Sequence, residues 1–199
     1  MQMEMKQSFC CLFLAMLLTN VTGGSSVGQH TADDQELEQT IFDAEPNQGE
    51  MLVKRSVEIP DSGLQVLRDT LTGGTFNCLK ARGTTPAQAP ASWFLASAVH
   101  LNGPNEVDLI VLPNVPNIAK PTNPGGCLLP AHGGPFWVLG PGIASGRYGL
   151  LLETYGLRLE VFSSRTNRYK DIQIGSGRTA ALYKFAVQQY QLAEKKTEP

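Results

Sequence analysis

Apolar and polar positions change their rhythm along this chain, and the clearest rhythm lies between Gly133 and Gln191. There, runs of four to eleven residues rich in β-branched, aromatic or leucine side chains succeed one another: 133–140, 147–154, 157–162, 170–175 and 180–190. Gly, Ser, Asn and Arg turns separate them, which is the signature of strands joined by hairpins. A five-stranded antiparallel meander is the natural reading of this stretch.

Upstream, Ala91 to Leu101 alternates, with Trp93, Leu95, Ser97, Val99 and Leu101 on one side and Phe94, Ala96, Ala98 and His100 on the other. The turn Asn102-Gly103-Pro104-Asn105 then leads into Val107–Leu112, so a second hairpin is expected here. Before it the period lengthens. Leu64, Val66, Leu67 and Leu71 give a short apolar helical face, starting near Pro60-Asp61-Ser62 and stopped by Gly73-Gly74, which predicts a helix over 62–71. The segment from Pro113 to Pro130 holds five prolines and reads as a long irregular loop. The expected fold is α+β: one N-terminal helix packed on a curved antiparallel meander of about six to seven strands.

The two ends differ in kind from this middle. Lys6 precedes the apolar run Phe9 to Leu18, followed by the small residues Thr22 to Ser26. That is a signal-peptide pattern over 1–24, too short for a membrane span of roughly 20 apolar residues. Residues 25–57 carry Asp33, Asp34, Glu36, Glu38, Asp43, Glu45 and Glu50 among few large apolar side chains and read as an acidic disordered leader. Its charge opposes that of the C-terminal part, although two independently solvated surfaces are the simpler reading. A single domain over 58–192 and a disordered tail over 193–199 complete the expected organisation.

Composition narrows the chemistry. Of 199 residues 17% are charged and the formal net charge is −2, so nothing in the bulk points to nucleic acid, and no stable membrane span is expected once a signal is removed. Cys10 and Cys11 fall inside the signal-like run, leaving Cys78 and Cys127 as an even pair. In an oxidising compartment, secreted or periplasmic, they are expected to form a disulfide, since no C-x-x-C spacing or additional ligand set favours a metal.

Candidate chemistry is sparse. The stretch His100 to Asp108 resembles a calcium loop with too few oxygen ligands, so a calcium-stabilised module is a lesser alternative and no cofactor or metal is expected. His132, ahead of two glycines, would make a hydrolase with His100 and Asp108 if the three met in one cleft. No nucleophile elbow accompanies them. Arg165, Arg168, Tyr169 and Lys170 cluster in one hairpin connection, where guanidinium forks suit carboxylate or phosphate. Aromatic residues including Trp137 outnumber what one sheet face needs to bury. The leading expectation is a non-enzymatic, exported cell-envelope binding or interaction protein, its partner an envelope protein or glycan. Its ligand would sit on an open sheet face or on the hairpin near Arg165 to Lys170, with His132 and Trp137 as further contacts.

Specific motifs run through residues 59–190: Trp93-Phe94-Leu95-Ala96-Ser97, the run from His100 to Leu112, Gly126-Cys127-Leu128, Gly134-Pro135-Phe136-Trp137-Val138-Leu139, Tyr148 with Leu150 to Leu152, Tyr169-Lys170-Asp171-Ile172, and Tyr183-Lys184-Phe185 with Tyr190. On these residues the chain resembles a group of small secreted bacterial proteins frequent in acidobacteria. The resemblance implies export and this architecture, and it supplies no activity. It also implies a cysteine ahead of the Trp-Phe stretch, where Cys78 stands, in keeping with the Cys78–Cys127 pair. Glycine is usual in that group where Arg168 stands, and often follows the last phenylalanine, near Ala186 or Val187.

Overall fold

The structure, a computed structural model, describes residues 41–43, 56–129, 133–142 and 146–197. Two antiparallel sheets and a helical layer account for most of them. Helix α1 (Asp61–Thr70) buries Leu64 and Leu67, with Leu71 sealing its end. Asp61 in its first turn and Arg68 in its last oppose the helix dipole, and Arg68 Nε also donates to the Ala89 carbonyl at 3.0 Å.

A second helix, α2 (Gly73–Ala81), follows where the sequence suggested only a stop. Gly73 adopts φ +56°, so it breaks α1 and turns the chain directly into the next helix. One helix was expected; α1, α2 and the one-turn α3 (Val115–Ile118) are observed. Cys78 on α2 is bonded to Cys127 in the 3₁₀ turn Pro124–Leu128, with Cα atoms 5.8 Å apart. The proline-rich loop is thereby fastened to the helical layer.

The first sheet contains β2 (Phe94–Val99), β3 (Asp108–Pro113), β4 (Gly134–Pro141) and β5 (Tyr148–Gly156), in that order. The second contains β1 (Ile41–Asp43), β6 (Arg158–Thr166), β7 (Tyr169–Ser176), β8 (Thr179–Ala186) and β9 (Gln189–Thr197), in the order β1-β6-β7-β8-β9. The strands are therefore a run of hairpins, as expected, but split between two sheets instead of forming one curved meander. Leu157 alone separates β5 of the first sheet from β6 of the second. Gly156 permits this crossover: a Cβ there would run into Ile174 Cγ2 and lie 2.8 Å from the Gly175 carbonyl oxygen.

Two cores result, one on each face of the first sheet. Leu109, Val111, Trp137 and Leu139 pack against the helices with Leu67, Leu79 and Ile118. Ile110, Leu112, Phe136 and Val138 pack between the sheets against Leu159, Ile172, Ile174 and Phe185. The alternation expected for Ala91 to Leu101 holds from Phe94 onwards, with Phe94 and Ala96 on the helical side and Val99 and Leu101 between the sheets, whereas Trp93, expected on the Val99 side, packs with Phe94 on the helical side. Residues 91–93, however, form a 3₁₀ turn before the strand begins.

Strand β1 falls inside the stretch expected to be an acidic leader, and its backbone pairs Asp43 with Arg158 of β6. At the other end β9 continues to Thr197, paired with Thr179, where a disordered tail from residue 193 was expected. Eight register pairs with β8 hold a segment that has little to bury. The signal-like run 1–24 and His132 lie outside the described residues. Among the described residues no helix is long and apolar enough to cross a membrane.

Candidate functional site

The turn from His100 to Asp108 and the hairpin from Arg165 to Lys170 meet at the backbone of Leu101. Asp108 opens β3 and is fully buried. Its Oδ2 accepts from the Leu101 amide at 2.9 Å, while Oδ1 has no hydrogen-bond partner among the described residues. Burial pushes its carboxyl up to about 6, against the pull of the Leu101 and Asn102 amides; Glu106 adds to the rise and His100 opposes it. Gly140 leaves the space Asp108 occupies, since a Cβ there would stand 2.7 Å from Oδ1.

The carbonyl of Leu101 accepts from both Arg165 Nη1 at 2.8 Å and the Lys170 amide at 2.9 Å. Arg165 Nη1 also donates to the Arg168 carbonyl at 2.8 Å. Tyr169 stacks on Phe185 with ring centres 3.7 Å apart, and Tyr190 stands edge-on to both. The Tyr190 hydroxyl donates to the Lys170 carbonyl at 2.6 Å, and burial first, then the nearby Asp108 charge, pushes it far above the usual tyrosine range. The hairpin thus uses its cation and aromatic ring to fasten one sheet to the other, and Lys170 is itself buried. Arg165, Tyr169 and Lys170 were expected to offer themselves to a ligand; in the structure the first donates to backbone carbonyls, the second stacks on Phe185 and the third is buried.

The same geometry bears on the other sequence candidates. His100 Nδ1 donates to the Glu106 carbonyl at 2.8 Å, and Asn102 donates to Glu106 Oε2 at 2.7 Å. His100 and Asp108 are near neighbours with no hydrogen bond between them among the described residues. The carboxylates of the turn are engaged by backbone and side-chain amides, and no group of three potential metal ligands gathers among the described residues. Trp137, expected near a ligand, is 1% exposed and packs edge-on against Phe94 beneath the helices.

A different concavity lies on the face of the second sheet turned away from the first. It is a groove of about 370 Å³ crossing β6 to β9, lined by Phe162, Ser164, Asp171, Gln173, Ala180, Leu182, Lys184, Glu194 and Lys196. On β7 the buried Ile172 and Ile174 point between the sheets, so the alternate residues Asp171 and Gln173 point into the groove. Register shifts lie in the β6–β7 ladder between Val161 and Arg165 and in the β8–β9 ladder between Leu182 and Tyr183. Bulges of this kind bend a strand and re-aim its side chains. The first brings Ser164 Oγ to donate to Asp171 Oδ2 at 2.8 Å. Asp171 is 4% exposed, and its Oδ1 has no partner among the described residues. Its donor lies across the β6–β7 pair.

Glu194 and Lys196 form an exposed ion pair at 3.3 Å on the rim, so the groove presents both signs of charge around an apolar floor. Comparison of the chain with protein-family models, curated proteins and solved structures found no match in any of the three.

Proposed function

We propose that this is an exported, non-enzymatic binding protein of the cell envelope whose ligand lies in the groove across β6 to β9. The observation that carries the reading is the buried Asp171 carboxylate in the wall of that groove, held by Ser164 through one oxygen and without a partner on the other. A buried acceptor of this kind costs about 1–3 kcal/mol when nothing donates to it, and a ligand donor would recover that loss. Export is supported by the signal-like run ahead of the domain and by the Cys78–Cys127 disulfide, a bond that persists in oxidising compartments.

The test is retention of the purified protein on a panel of immobilised envelope polysaccharides and isolated periplasmic proteins, with Ala180→Trp as the comparison. That substitution fills the groove from a half-buried position and removes no hydrogen bond. Retention by at least one surface that Ala180→Trp abolishes is expected. Equal retention of both proteins, or none on any surface, overturns the reading.

A further inference from the structure

Resting on that binding reading, we infer that the groove takes an uncharged, hydroxyl-rich ring: a residue of a neutral saccharide. The assignment comes from how its lining combines. Phe162, Ala180 and Leu182 offer apolar area for the C–H face of a ring, and Gln173 between them offers both a donor and an acceptor. Asp171 Oδ1 can only accept while ionised, which suits a hydroxyl.

Charge selects against ions of either sign. Lys184 and Lys196 disfavour a cation approaching Asp171, while Asp171 and Glu194 disfavour an anion approaching the lysines. A peptide is a poorer occupant. The backbone groups of β7 and β8 are already paired within the sheet, so an extended chain lying across this face would find side chains alone for its amides. From β6 to β9 the groove crosses three interstrand steps of about 4.8 Å, which gives it the length for more than one ring.

Amide-resolved NMR titration of the full protein distinguishes the possibilities. The probes are cellotetraose and fully N-acetylated chitotetraose as neutral saccharides, a tetragalacturonate as their anionic counterpart, and a tetrapeptide capped at both ends. A neutral tetrasaccharide is expected to shift the amides of Gln173, Leu182 and Lys184 saturably. Asp171→Asn should then weaken it by about ten-fold or more, the size of one lost bond to a charged acceptor. Gln173→Ala and Phe162→Ala should each weaken it too, and these carry the test if Asp171→Asn does not fold. Groove shifts from the uronate or the peptide, with the neutral sugars silent, overturn the saccharide assignment and leave the binding reading standing. Silence of the groove towards all four probes overturns both. Neutral-sugar binding that none of the three substitutions weakens also overturns the assignment.

Discussion

Asp108 in the first sheet and Asp171 in the second have the same local arrangement, one carboxylate oxygen held by a donor and the other left without one. Their surroundings make them different. Asp108 sits in a sheet covered on both faces, and its free oxygen is enclosed beside Gly140. Asp171 sits in a sheet that, among the described residues, is covered on one face only, and its side chain forms part of the wall of a groove. The first is a joint between layers; on the binding reading proposed above, the second is the acceptor offered to a ligand.

The sharpest way to break this contrast is to remove the same ring from each environment. Phe136→Ala, at a fully buried site between the sheets, should destabilise by about 3–5 kcal/mol in urea unfolding. Phe162→Ala, on the half-covered face, should cost under about 1.5 kcal/mol. Comparable losses would mean that the open face is not open.

The pH dependence of Asp108 is the next test. A carboxyl raised in the folded state binds its proton more tightly there than when unfolded, so the stability it contributes is present below about pH 4 and lost as pH rises through about 6. The difference amounts to about 2–3 kcal/mol. Relative to Asp108→Asn, the wild-type protein should therefore lose stability between pH 4 and 7, measured as the midpoint difference at each pH. A flat difference across that range would show that Asp108 remains ionised throughout.

The smallest effect belongs to the turns of the open sheet. Val187 has φ +60° and is almost wholly exposed, and Asn167 and Arg168 also lie in the left-handed region, at φ 51° and 76°. A β-branched residue at positive φ is strained, so Val187→Gly should stabilise by about 0.5–1 kcal/mol and raise the melting temperature by a few degrees. A lower melting temperature would mean that the valine packs in some way that its exposure conceals.

What the sequence made legible was mostly local. The spacing of Leu64, Leu67 and Leu71 located α1 to within a residue, and alternation assigned both faces of β2. The pairing of Cys78 with Cys127 followed from cysteine arithmetic. What escaped was relational. A period of two is the same whether neighbouring strands share a sheet or not, so nothing in 133–191 announced the change of sheet at Leu157. Gly73-Gly74 reads equally as a stop and as the corner between two helices. Arg165 looked available because its acceptor, the Leu101 carbonyl, is 64 residues away in sequence. The groove drew single residues from alternate positions of four strands, and only the register between those strands unites them.

Because β5 is followed directly, through Leu157, by the consecutive strands β6 to β9 of the other sheet, the order of synthesis matters. Residues 94–156 complete the helix-covered sheet before the strands that bury its other face exist, and the 40 residues from 158 to 197 must still follow. At about 5–20 residues per second that interval lasts about 2–8 s. Throughout it Ile110, Leu112, Phe136 and Val138 line an uncovered apolar surface. A nascent chain paused before β6 would be a sticky half-sandwich, and the same hazard attends any premature stop between β5 and β9.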